Sequence, residues 1–246
     1  MDGAPSTAGA AGGDRDDAAL AGAPARRRLF QGSGAALAGF LFAILFTWGF
    51  VLLDHGPGRT ADDAALVAYY QGSGGTSLIV AGFYLVPFAG LAFLWFMAAS
   101  RHRITQLALR EDALLATVQL ASGIVFVAMF FVAAAAAVSG VAAIRVGDVD
   151  SADLASATRT MLTYGDALLM VFGFRMAGVF ILTSTTRALR AQLFPRWFAV
   201  LSYAGVAVLL FSLSYVRWIV LIIPVWVFAA TAIILFRRIV GQRAEA

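Results

Sequence analysis

Two ionisable residues, Asp166 and Arg175, stand inside an otherwise apolar stretch, where a charge is costly and marks a binding or proton-handling position by default. Nine residues separate them. At about 100° per residue that is half a turn beyond two full turns, so in a helix the side chains leave opposite faces and cannot pair locally. Asp166 shares its face with Arg159, Gly173 and Ala177, whereas Arg175 shares its face with Leu168, Phe172, Gly178, Val179 and Leu182. Each needs its own partner. For Arg175 the expected acceptors are Gln119 and Ser122, on the preceding antiparallel segment at a matching depth, with free backbone carbonyls next. The candidate site is therefore Arg175, Asp166, Gln119 and Ser122. Three roles suit it: locking helices together, holding an anionic lipid or solute, or coupling protons through Asp166.

Other chemistry is narrowed by what the chain does not contain. There is no Cys, which removes disulfides and thiolate ligation, and all 18 basic residues are Arg, which removes a Schiff base on lysine. The two histidines, His55 and His102, fall on opposite sides of the expected membrane, so they cannot ligate one haem within a chain. Gly72, Gly74 and Gly75 follow no strand and read as loop, not as a phosphate cradle. No GxSxG, HExxH or Walker pattern occurs. No cofactor, metal or catalytic residue is expected, and an intramembrane enzyme is the least favoured class.

The elements that would position these residues follow from composition. Of 246 residues 61% are hydrophobic and 13% charged, and the mean hydropathy is +0.84. A soluble domain is about 45–50% apolar and about 25% charged, so this chain belongs in a bilayer. Residues 1 to 28 form a polar Ala/Gly/Pro/Asp tail expected to be disordered, which leaves 29–246 as the membrane domain. About 20 apolar residues cross a bilayer as a helix. Six segments qualify: Ala35–Leu53, Ser77–Ala99, Ala113–Ile144, Met161–Ser184, Trp197–Val216 and Trp218–Phe236. The third is long enough to tilt or project. The last two need a turn near Ser214–Trp218. The expected fold is an all-α bundle of six spans.

Orientation follows from arginine. With the N-terminus inside, twelve arginines (26, 27, 28, 101, 103, 110, 187, 190, 196, 237, 238 and 243) flank the inner ends. Four (59, 145, 159 and 217) flank the outer ends. That bias predicts both termini in the cytoplasm. In the outer loop 54–76, Thr60 can cap a short helix with Asp62 and Asp63 in its first turn, Leu66, Val67 and Tyr70 on one face, and Gly72 as its stop. It should lie on the membrane surface. Asp150 or Ser151 can cap a helix running through Arg159 into the fourth span. Pro87 and Pro224 should kink their spans. Ala133–Ala137 and Gly173/Ala177 offer small faces for close helix contact, and Trp48, Trp95, Trp197 and Trp218 read as interface anchors.

The stretch FRMAGVFILTSTTRALRAQLFPRWFAVLSYAGVAVLL, Phe174 to Leu210, resembles a family of multi-pass integral membrane proteins of high-GC bacteria. Leu120 to Ala136 and Pro224 to Phe228 are similar to it too, and Arg190 to Trp197 is the most distinctive part. The resemblance implies a six-helix membrane protein and names no reaction; the plasma membrane is the expected location. The expected function is an accessory or regulatory membrane subunit. The competing one is a small transporter or channel for an anionic or lipid-like solute near Arg175. Membrane lipids are the expected partners, with a protein partner or a second copy beside them; nucleic acid is not expected.

Overall fold

The computed structural model describes residues 36–56, 62–108, 112–146, 151–211 and 217–244. The tail 1–28, the Thr60 cap and Asp150 lie outside the described residues, as does most of the turn near Ser214–Trp218. Among the described residues all regular structure is helical, with no strand. The order is α1 (Ala36–Asp54), α2 (Asp63–Gln71), α3 (Ser73–Ile79), a π turn (Val80–Leu85), α4 (Val86–Leu107) and α5 (Ala113–Val146). Then follow α6 (Ser151–Ala167), a second π turn (Leu168–Gly173), α7 (Phe174–Arg190), α8 (Arg196–Phe211), a 3-10 turn (Arg217–Leu221) and α9 (Ile222–Ala244).

Five of these helical runs are long and apolar enough to cross a membrane: Ala36–Asp54, Ser73–Leu107, Ala113–Arg145, Ala155–Arg190 and Trp218–Arg237. The expected span Trp197–Val216 corresponds to α8, whose 16 described residues rise only about 24 Å at roughly 1.5 Å each. Three runs overshoot a hydrocarbon core. The 34 residues of α5 extend about 51 Å, against an approximately 30 Å core. The runs through α3–α4 and α6–α7 are as long. Their surplus lies at the end of the bundle that carries α2.

That surplus explains α2. Its cap is Asp62, whose carboxylate accepts from the Asp63 amide at 2.9 Å, and Gly72 closes it as expected. Leu66 and Tyr70 do not face lipid. Both are buried, in a small cluster with Leu78, Val138, Val141 and Ala155. The expected membrane-surface helix is thus docked on protein, because overlong neighbours give it a wall to pack against. Arg159 adds an ion pair to Asp63 at 2.6 Å, and Arg145 donates to the Thr76 hydroxyl at 2.9 Å. Gly74 and Gly75, expected in a loop, lie in the first turn of α3. A methyl on Gly75 would sit 2.0 Å from the Tyr70 carbonyl oxygen.

The main core is aromatic. Phe93 of α4 is its hub, with ring centroids 5.0 Å from Phe42 of α1, 5.3 Å from Phe126 of α5 and 5.0 Å from Phe180 of α7. Phe46 stacks on Phe130 at 4.8 Å, and Trp226 of α9 reaches Phe180 at 6.1 Å. Small residues let α5 sit at the centre of this arrangement. A methyl on Gly82 would meet Val138 at 2.3 Å, and one on Gly165 would meet Ala136 at 2.9 Å and the Ala133 carbonyl at 3.1 Å. The Ala133–Ala137 face is therefore used within the chain. All four anchor tryptophans are exposed.

Both prolines lie where a helix changes type. Pro87 follows the first π turn directly, and there the Val86 amide bonds five residues back to Ala81. The missing N–H is absorbed by that wider step instead of breaking an α-helix. Pro224 is the third residue of α9, just after the 3-10 turn, where the first amides lack helical acceptors in any case. Pro224 thus falls in the opening turn of α9 and not in its interior, where the expected kink would arise.

Candidate functional site

The second π turn sets the position of Arg175. Phe174 bonds five residues back to the Leu169 carbonyl, which widens the turn and tilts its carbonyls outward. The Arg175 guanidinium, half-buried, donates to the Val171 carbonyl inside that turn. Neither Gln119 nor Ser122 serves it. Of the acceptors anticipated, the backbone carbonyl is the one used, because the π turn supplies an oxygen four residues away on the same face. Asp166 is half-buried in α6, before that turn, and Arg159 goes to Asp63.

Gln119 belongs to a different arginine, and Ser122 to its own helix. Gln119 is 0% exposed and Arg187 is 5% exposed. An Arg187 Nη1 hydrogen goes to Gln119 Oε1, and Nη2 donates to Thr105 Oγ1 at 3.3 Å. Gln119 Nε2 then donates to Ser184 Oγ at 2.8 Å. The Ser122 hydroxyl is shared between the carbonyls of Val118, at 2.7 Å, and Gln119, at 3.2 Å. One buried network ties α4, α5 and α7.

Its origin is local. Thr183, Ser184, Thr185, Thr186 and Arg187 are five consecutive polar residues, so this stretch of α7 is polar on every side. Ser184 and Arg187 are three apart and face α5 together. Thr186 turns the other way, to the Tyr203 hydroxyl of α8 at 3.1 Å. The Thr185 hydroxyl is fully buried and has no hydrogen-bond partner among the described residues. Ser202 of α8 accepts from Trp226 Nε1 at 2.8 Å, which brings α9 into the same polar layer.

Charged residues close this end of the bundle. Asp112 caps α5, accepting from the Leu115 amide at 3.2 Å, and pairs with Arg190 at 3.0 Å. The chain leaves α7 through Gln192, whose φ of 56° is left-handed, and the Leu193 amide returns to Ala188 at 2.8 Å. Arg237 of α9 donates to the Gln192 carbonyl. The distinctive Arg190–Trp197 stretch is therefore an elbow clamped from two helices.

The Leu115 amide, and after it the Arg190 guanidinium, hold the Asp112 carboxyl below its usual range, with partial desolvation opposing them. A depressed folded-state pKa stabilises the fold above the ordinary Asp value, near 4, and that contribution is lost as pH falls through the depressed value. Asp112→Asn should keep the cap, lose the Arg190 ion pair and flatten the acid end of a thermal-stability profile. Asp112→Ala should lose more at neutral pH, because it loses the cap as well. Equal losses for the two variants would refute a capping role.

His55 contacts the Val51 carbonyl, His102 contacts Gln106, and the two lie at opposite ends of the bundle. Among the described residues no three of His, Asp and Glu gather at one point. Comparison with protein-family models, with curated proteins and with solved structures finds no match in any of the three.

Proposed function

We propose that this chain is a six-span protein of the bacterial plasma membrane, with both termini cytoplasmic, that serves as a non-enzymatic accessory or regulatory subunit. The observation carrying this reading is the packed aromatic centre, where Phe93 joins rings of α1, α5 and α7 and leaves the bundle axis filled by side chains. A transporter needs a solvated route to a site near mid-depth. Arg175 instead spends its guanidinium on its own helix, and Arg187 spends its own on neighbouring spans. A sixth crossing is supported by the apolar sequence, which continues beyond α8 to Val216. The Arg bias and the family resemblance support the orientation and the membrane.

In solubilised native membranes the chain should migrate in a discrete complex larger than itself. Reconstituted alone, it should pass no labelled anion faster than protein-free vesicles. Arg175→Gln should fold with a stability within about 1 kcal/mol of the parent, since an amide can still donate to a carbonyl. Anion uptake that Arg175→Gln abolishes would replace this reading with the transporter.

Topology has a separate test. Gln71 and Gln192 are exposed at opposite ends of the bundle, so single cysteines there should label from opposite sides of intact cells. Labelling of both from outside would overturn the orientation.

A further inference from the structure

The perimeter of the bundle is not uniform. Between α1 and α9 lies a slot of about 570 Å³, lined by eight residues. Its floor is made of small or compact side chains, Ala43, Thr47 and Pro224, and its walls are the bulkier Ile44, Trp48 and Phe228. Both ends are closed by ring contacts. Phe40 meets Phe228 at 4.9 Å on one side, and Phe50 meets Trp218 at 6.3 Å on the other. From Phe40 to Phe50 is ten residues, so the slot is about 15 Å long at roughly 1.5 Å per residue. It lies within two of the helices able to cross a bilayer, so its mouth opens at hydrocarbon depth.

We infer that this slot is a binding site for one acyl chain of a membrane lipid. The lining carries no charge, so the occupant is apolar. The volume falls in the range of about 300–1,000 Å³ typical of small-molecule sites. The eight lining residues are far fewer than the about 20–30 a side of a stable protein interface, so a second copy would have to rest on surface beyond the slot. A partner helix needs a face open along its length, whereas both ends here are closed. A flexible chain one methylene wide can enter from the side and lie along the floor. This inference requires only that the bundle spans a bilayer and does not depend on the accessory role.

The test uses the full chain in phosphatidylcholine vesicles doped with a phospholipid carrying a diazirine on one acyl chain. After irradiation the labelled peptides are mapped by mass spectrometry. Labelling of Ala43–Val51 and Pro224–Phe228 should saturate and exceed that of the equally exposed α4 face at Phe88 and Trp95 by roughly tenfold, the ratio given by 1.4 kcal/mol of preference. Ala43→Trp, which fills the floor, should bring the slot down to the level of the α4 face. Thr47→Leu, a milder filling, should lower it part of the way, with both variants melting within a few degrees of the parent. Uniform, unsaturable labelling of the parent would overturn the proposal without any variant being made. So would slot label retained in a folded Ala43→Trp.

Discussion

Arg187→Met should destabilise the purified protein by about 2 kcal/mol, and Gln119→Leu by more, about 3 kcal/mol. The order follows from what each change leaves behind. Methionine keeps the aliphatic stem of Arg187 and removes the charge, so Gln119 Oε1 and Thr105 each lose a donor. Leucine at position 119 removes the acceptor while the guanidinium, 5% exposed, stays buried. An under-solvated charge costs more than an under-solvated amide. The double variant should therefore cost at least about 1 kcal/mol less than the sum of the two, since the bond between them is lost only once. Unfolding in mixed detergent, followed by far-UV circular dichroism, reads all four corners of the cycle. Additive costs would show that the two side chains are neighbours without coupling.

The readability of this site from sequence was uneven, and the reasons are physical. Apolar runs, the Gly72 stop and the helix leading through Arg159 into the fourth span are local features, and all three are present. Arg187 was legible only as part of a positive flank, because a charge three residues from the end of a span normally reaches water. What buries it is its place against α4 and α5, with Thr105 and the amide of Gln119 opposite. The available signal was the unbroken polar stretch from Thr183 to Arg187, too hydrophilic on every side to face lipid. The partner of Arg175 was misassigned because matching depth says nothing of rotation. A π turn also adds a residue to the helical step, shifting every face beyond it by about 100°. Pro87 hinted at the first π turn, whereas nothing comparable precedes the second. The slot between α1 and α9 was beyond reach, since it depends on which helices are neighbours.

Gly39→Ala should cost roughly 1–3 kcal/mol, the scale of overpacking a close contact, and Thr231→Ala in the same chain should recover most of it. The added methyl would stand 2.0 Å from Thr231 Oγ1 and 3.0 Å from Phe96. Thr231 cannot yield cheaply, because its hydroxyl is fixed to the Val227 carbonyl at 2.7 Å and the residue is 1% exposed. Alanine at 231 removes the blocking oxygen, and its own cost is small because that bond stays within one helix. At this crossing α1 lies directly against α9, one residue before the Phe40–Phe228 contact that closes the slot. Forcing the helices apart here should therefore open that end of the slot as well as lower stability. Acyl-chain labelling in Gly39→Ala should then lose its preference for Ala43–Val51, and the Thr231→Ala partner should restore it. A Gly39→Ala protein with parental stability would mean that α1 does not cross α9 at this point. Loss of stability without rescue would place the conflict on Phe96 instead, the next atom in the path of the new methyl.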